Sequence, residues 1–200
     1  RMIRNDRVVW ATSMVACGDA DGAVTGNTRR FGASFDKIKQ VVDVRKGEIM
    51  FGLNMVVHKG KTIFIGDTSV NEYPTSEQMA EIAISTARVV RLFGFEPKVA
   101  FVSHSTFGQP LTSRTKHIRN AVDILKEKKV DFEFDGDMQP DVALNSEYRE
   151  LYPFANIVGK ANILIMPGQH SAAISYKLMK TIGDTKVIGP LLIGLGLPIE

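Results

Sequence analysis

The stretch Thr62-Ile63-Phe64-Ile65-Gly66-Asp67-Thr68-Ser69-Val70-Asn71-Glu72-Tyr73-Pro74-Thr75-Ser76-Glu77-Gln78-Met79-Ala80-Glu81-Ile82-Ala83 decides the fold. An extended apolar run ends at Gly66, a polar loop follows, and the loop opens into a helix. Thr75 and Gln78 stand at capping-box spacing, which satisfies two orphan N–H groups reciprocally. Met79, Ile82, Ala83, Thr86, Val90 and Phe93 then recur every three or four residues, the period of a helix with one buried face. Gly94 supplies a stop and Pro97 lies just beyond it.

Working outward, the same strand–loop–helix unit repeats. Upstream, residues 49–57 are β-rich, and Lys59-Gly60 is a turn pair that joins them to 62–66 as a hairpin. Downstream, the pattern predicts a strand at 98–103, a loop at 104–110 and a helix at 113–128. It continues with a strand at 130–134, a helix at 140–151, a strand at 163–166, a helix at 171–182 and an extended run at 186–192. Before the hairpin, residues 6–16 and 35–44 have helical spacing, and Ala23-Val24-Thr25 is a short extended run. Strands alternating with helices imply an α/β fold: a mainly parallel sheet with helices on both faces. The central strands are nearly all apolar, as strands covered on both sides must be.

In such sheets ligands bind beyond the carboxyl ends of the strands. That directs attention to the loops 67–75, 103–110, 135–140 and 167–171. In the first, Asp67, Asn71 and Thr75 can hydrogen-bond a polar ligand, and the N–H groups of the helix start favour an anion. The alternative is that Thr75 only caps the helix while Asp67 and Asn71 hold the loop by Asx turns. In the second, Ser103, Ser105 and Thr106 directly follow a buried strand and form a cradle for a phosphate or a carbonyl oxygen. His104 does not make this a nucleophilic serine site. Adjacent residues on an extended strand point to opposite faces, and no G-x-S-x-G elbow is present. His58 and His117 read as solvent-facing, while His170, in a strand-to-helix loop, stays a candidate. No histidine has metal-ligand spacing. Asp19 and Asp21 open like a calcium loop, but Arg30 occupies the position of its closing acid. There is no Walker motif and no G-x-G-x-x-G.

Composition narrows the class. The 200 residues are 44% hydrophobic and 24% charged, which excludes disorder and suffices for a core. Cys17 is the single cysteine, so no intramolecular disulfide forms, and a reducing, cytoplasmic setting is expected. The formal charge of +3 is spread out: Asp123, Glu127 and Asp131 interleave Lys126, Lys128 and Lys129. That argues against a nucleic-acid partner, which wants a clustered basic stripe. The apolar run 187–199 is too short and too rich in Gly and Pro to span a membrane, and the N-terminus lacks the apolar core of a signal peptide. The sequence does not begin with Met, so a piece of a longer protein is expected.

Several blocks together resemble one family. They are Gly18-Asp19-Ala20-Asp21-Gly22 with Gly26, Gly66–Asn71, Pro74–Ala83, Ser103–Thr106, Asp135-Gly136 before Met138-Gln139, and Gly189-Pro190-Leu191. In order, and over essentially the whole chain, they resemble the phosphate acetyl/butyryl transferases. Within that family the sequence is most like the phosphotransacetylase-like C-terminal domain of bacterial NADP-dependent malic enzymes. Asn27-Thr28-Arg29-Arg30-Phe31-Gly32 and Ser103-His104-Ser105-Thr106-Phe107-Gly108 are closer to that branch than to the His-Thr-Thr and Ser-Tyr-Ser-Thr segments of active transferases. Pro167-Gly168-Gln169-His170-Ser171-Ala172-Ala173 departs from the transferase pattern Pro-Asp-Leu-Asn-x-Gly-Asn, losing an amide at His170 and another at Ala173. The Ser-Arg-Gly motif associated with coenzyme A in transferases has no counterpart here, where the sequence reads Pro198-Ile199-Glu200.

The resemblance implies two lobes with a cleft, as in the isocitrate/isopropylmalate dehydrogenases, formed by residues 1–47 with 187–200 and by residues 48–186. It implies candidate ligand-binding residues Arg30, Asp67, Asn71, Thr75, Ser103, Ser105, Thr106, Asp135 and His170, converging from both lobes. It assigns no catalytic residue and no metal within this chain. The implied ligand is acetyl-CoA or CoA acting as a regulator of malate decarboxylation, with NADP and Mg or Mn belonging to the remainder of the parent enzyme. A homo-oligomer, dimer or higher, is expected. The rival expectations are a working transferase of acetyl phosphate and CoA, and a purely structural oligomerisation module.

Overall fold

The computed structural model describes residues 5–26 and 28–199. The chain divides into two compact units: residues up to 50 together with those from 191 onward, and residues 51–190.

In the first unit, helix α1 (Arg7–Cys17) starts at Asp6, whose carboxylate accepts from Val8 N and Val9 N. Val8, Val9, Thr12 and Val15 form its buried stripe, and Gly18, at φ +80°, ends it. Helix α2 (Phe31–Ile38) begins and ends earlier than the spacing predicts. Phe31 stacks on Phe35 one turn later (centroids 5.4 Å apart), which extends the helix backward. The Ile38 carbonyl accepts from both Val41 N and Val42 N, so the chain turns there, and Val42 is buried from a loop. The expected run at 23–25 is a single parallel bridge, Ala23 to Ile199, and Val44 bridges Leu195.

In the second unit, β1 (Phe51–His58) and β2 (Lys61–Gly66) form the expected hairpin, in register Leu53↔Gly66 through His58↔Lys61. Then follow α3 (Ser76–Leu92), β3 (Lys98–Val102), α4 (Ser113–Lys128), β4 (Glu133–Met138), α5 (Pro140–Leu144), α6 (Ser146–Glu150), β5 (Ile163–Ile165) and α7 (Gln169–Ile182). Strand β6 (Lys186–Ile193) begins in the second unit and ends in the first. The strand order is β4-β3-β5-β2-β1-β6. Strands β2, β5, β3 and β4 are parallel, whereas β1 and β2 are antiparallel. The sheet is therefore mixed: parallel across β2, β5, β3 and β4, as expected, and antiparallel in the expected hairpin. A two-residue turn at Lys59-Gly60 can join only antiparallel neighbours.

Both faces are covered within this unit. Gly66 lets β2 approach α3, where a Cβ on Gly66 would lie 3.3 Å from Ile82 Cγ2, and buried Phe64 packs on Phe93 at the end of that helix. On the other face Val56, Ile65, Ala100, Val102 and Leu164 pack with Val142 and Ala143 of α5 and Ala172 of α7. Two predicted elements shift. Strand β4 runs on to Met138 instead of stopping at 134, burying Asp135 and Asp137, because neighbouring loops supply N–H and O–H donors to both carboxylates. The helix expected over 140–151 is broken at Asn145, which ends α5 and, through its side chain accepting from Glu147 N, caps α6. Among the described residues no helix is long and apolar enough to cross a membrane.

Candidate functional site

The parallel strands bring the loops after β2, β3, β4 and β5 to one edge of the sheet. Their backbones are tied together there. Met166 N donates to the Gly66 carbonyl, Gln169 N to the Glu72 carbonyl, and Ser103 N to the Met138 carbonyl.

In the loop after β2, Asp67 is the organiser. Its side chain is buried, and Oδ1 accepts from Gly52 N (2.8 Å), Ser69 N (2.8 Å) and Val70 N (3.1 Å). Oδ2 accepts from Asn71 N (2.6 Å) and Asn71 Nδ2 (2.7 Å). A carboxylate offers about four lone-pair sites, so these five donors fill it. Gly52 makes the closure possible, since a Cβ there would stand 2.7 Å from Ser69 Cβ. At the loop's end Thr75 and Gln78 complete the capping box. The Glu77 carboxyl is held below the usual carboxylate range, first by its own backbone N–H and then by Thr75. The Glu77 and Gln78 N–H groups at the head of α3 are thus met from within the chain, and Glu77 places an anion of the chain's own there.

The loop after β3 is built on Asp137. Ser105 Oγ donates to Asp137 Oδ2, Gly108 N to Oδ1 (2.9 Å), and Phe107 N to the Asp137 carbonyl (2.6 Å). Ser105 and Asp137 are fully buried. Ser103 Oγ accepts from Ser105 N (3.4 Å) and lies 3.3 Å from Ser105 Oγ. Thr106 Oγ1 accepts from Gln139 N (3.2 Å). A hydroxyl carries one proton. The Ser105 proton goes to a carboxylate. The Ser103 proton therefore goes to Ser105 Oγ, and among the described residues the Thr106 hydroxyl proton has no acceptor. His104 is exposed on the opposite side of the strand end, as alternation requires.

This arrangement has known counterparts. The whole chain, residues 1–200, matches the family model described as phosphate acetyl/butaryl transferase. The chain belongs to the phosphate acetyl/butaryl transferase family. It is 44% identical to an NADP-dependent malic enzyme of Rhizobium meliloti over its full length, which is 26% of that enzyme. It is 34% identical to a phosphate acetyltransferase of Clostridium acetobutylicum, covering all of this chain and 62% of that protein. A phosphotransacetylase from Streptococcus pyogenes superposes with a TM-score of 0.89 at 28% identity, over 96% of this chain and 59% of that one. The chain spans about a quarter of the length of the malic enzymes it matches.

The other sequence-derived candidates of this transferase-family chain fall in different surroundings. Asp135 is buried, with Oδ1 on Gly136 N and Oδ2 on Asn156 N, and its charge faces Arg149. Arg149 is itself buried, bonded to the carbonyls of Ile157, Val142 and Ala143, and burial pushes its guanidinium below its ordinary value. His170 is exposed, 3.2 Å from Glu72 Oε1 and stacked on Tyr73. Arg30 is exposed in the first unit, at the N-cap of α2 and without a side-chain capping bond. Two histidines correct the solvent-facing expectation. His117 Nε2 lies 3.0 Å from the Pro74 carbonyl, to which it donates, and Nδ1 lies 3.0 Å from Ser76 Oγ. His58 is half-buried with Nδ1 3.3 Å from Thr185 Oγ1.

Sequence reasoning missed Asp137, the residue on which the hydroxyl loop depends. The usable signal was Asp135 and Asp137 alternating through Gly136 at a strand end. Among the described residues no cluster of three or more His, Cys, Asp or Glu side chains is placed to hold a metal ion.

Proposed function

We propose that this chain is the phosphotransacetylase-like C-terminal domain of an NADP-dependent malic enzyme, and that it binds acetyl-CoA as a regulator. The parent enzyme would oxidatively decarboxylate malate to pyruvate with NADP and Mg or Mn, chemistry belonging to sequence outside this chain. The observation that carries the reading is the unaccepted hydroxyl proton on Thr106, next to the buried Ser103–Ser105–Asp137 chain, at the ligand edge of a phosphotransacetylase fold. A fixed O–H donor suits a carbonyl or phosphate oxygen. The identity to malic enzymes favours regulation over turnover. So does the segment at His170 and Ala173, where the amides of the transferase pattern are replaced; each lost hydrogen bond is worth about 0.5–1.5 kcal/mol net. Regulation requires acetyl-CoA to bind the active and inhibited enzyme differently. The likeness to the isocitrate/isopropylmalate dehydrogenases, and the cytoplasmic setting, belong to the same proposal.

Oligomerisation is the second part of the proposal. Ile174, Leu178 and Ile182 form an exposed apolar stripe at four-residue intervals along α7, suited to a second copy of the chain. Calorimetric titration of the full-length protein with acetyl-CoA tests the regulatory reading, and absence of binding at millimolar ligand rejects it. The rival reading, a working phosphate acetyltransferase, draws on the likeness to the Streptococcus pyogenes phosphotransacetylase. Robust formation of acetyl-CoA from acetyl phosphate and CoA by the full-length protein would establish that reading instead.

A further inference from the structure

We propose that the pocket between the heads of α3 and α4 is a separate binding site for a small organic anion with a phosphate or carboxylate head. The pocket measures about 430 Å³ and is lined by Tyr73, Pro74 and Thr75, by Ser113, Arg114, His117 and Ile118, and by Pro167. That is within the range of small-molecule sites and larger than a bare oxyanion needs. All of its walls belong to the second unit.

Three features set the ligand chemistry. First, Arg114 is exposed and enters no ion pair among the described residues, and its guanidinium lies over the Tyr73 ring at 5.8 Å. Tyr73 is itself stacked with His170 (centroids 6.2 Å apart, planes 13° from parallel). The cation is thus held in place by an aromatic partner, leaving its N–H edges for an oxyanion, which a planar guanidinium binds in bidentate fashion. Second, two hydroxyl-bearing residues, Ser113 and Thr75, line the same space. Third, Pro74, Ile118 and Pro167 make the rest of the wall apolar, which calls for a carbon body behind the charged head. The charges nearby are accounted for. Glu77 is held by its own backbone N–H and by Thr75, and Glu72 lies against His170. His117 has both ring nitrogens engaged, at Pro74 and Ser76. Arg114 is therefore the group through which the pocket selects an anion.

The site is distinct from the Ser103–Thr106 loop and does not depend on the acetyl-CoA reading. The test uses the full-length protein with phenyl phosphate, benzoate and inorganic phosphate as probes, with dissociation constants from calorimetry. Phenyl phosphate or benzoate is expected to bind at least tenfold more tightly than inorganic phosphate. Arg114→Ala is expected to weaken that binding at least tenfold. Arg114→Lys, which keeps the charge but loses the stacked plane, should weaken it severalfold, and Ser103→Ala should leave it unchanged. Whichever of the two aromatic anions binds more tightly identifies the head group. Equal affinity for inorganic phosphate and the aromatic probes overturns the proposal, as does an Arg114→Ala protein that binds like the parent. Loss of binding in Ser103→Ala but not in Arg114→Ala would place the probe in the other loop and likewise overturn it.

Discussion

The loops after β2 and β3 look alike in sequence, each a run of hydroxyls and polar groups after an apolar strand, yet their hydrogen bonds are arranged oppositely. Around Asp67 the donors equal or exceed the acceptor capacity, and every one comes from the loop itself or from Gly52 next to it. In the other loop the Ser103 and Ser105 protons run in a chain to Asp137, and Thr106 Oγ1 accepts from Gln139 N while its own proton has no acceptor among the described residues. A loop whose valences close on themselves is architecture. A loop with a proton left over, beside a buried carboxylate, has capacity for something else. Counting donors separately from acceptors distinguishes the two, where counting polar residues does not.

The largest expected effect falls on the self-closed loop. Asp67→Ala leaves several buried N–H groups unpaired, each costing about 1–3 kcal/mol. A loss of about 3 kcal/mol or more in urea unfolding is expected, and a loss under 1 kcal/mol would contradict the organiser role. Asp137→Ala comes next. It should cost about 2 kcal/mol and weaken acetyl-CoA binding, because Ser105 and Gly108 lose their shared acceptor. If stability falls while affinity holds, Asp137 supports the strand and not the hydroxyls. Third, Ser103→Ala and Thr106→Val should each change stability by less than about 1 kcal/mol while reducing acetyl-CoA affinity up to about tenfold, the value of one hydrogen bond. Equal losses of stability and affinity would erase the contrast between the loops.

The smallest effect is in pH. The Glu77 carboxyl is lowered in the folded protein from its ordinary value of 4.5. A depressed carboxyl stabilises the fold above its unfolded value, and that contribution disappears as pH falls through the folded value. The parent chain should therefore exceed Glu77→Gln in stability at neutral pH, and the gap should close progressively below pH 4.5, as followed by denaturant midpoints. A gap independent of pH would assign the effect to packing.

Elements set by neighbours in sequence were legible. The Thr75–Gln78 capping box, the stop at Gly94 and the span of α4 all rest on contacts within a few residues, so spacing alone finds them. The second half of strand β4 was not legible, because Asp135-Gly136-Asp137, after the predicted strand end at 134, reads as a polar loop. Its carboxylates tolerate burial only because donors arrive from Gly108, Ser105 and Asn156, and the first two lie 29 and 32 residues away from Asp137. The same limit hid the role of Asp137. For His117, helical position suggested solvent, while its partners Pro74 and Ser76 belong to a different helix head. The break at Asn145 escaped because asparagine is tolerated within a helical pattern, and only its bond to Glu147 N shows it acting as a cap.

The division of the chain has a consequence for the order in which it is made. The first unit is discontinuous: Ala23 bridges Ile199 and Val44 bridges Leu195, so its closing partners are translated only after the entire second unit. During vectorial synthesis the segment after β1 can complete its sheet and helices as it leaves the ribosome, since domains fold as units once their residues are available. The segment before β1 must wait through that interval with α1 and α2 lacking their later-made partners. Newly made chains are therefore most exposed to proteases and chaperones at α1 and α2.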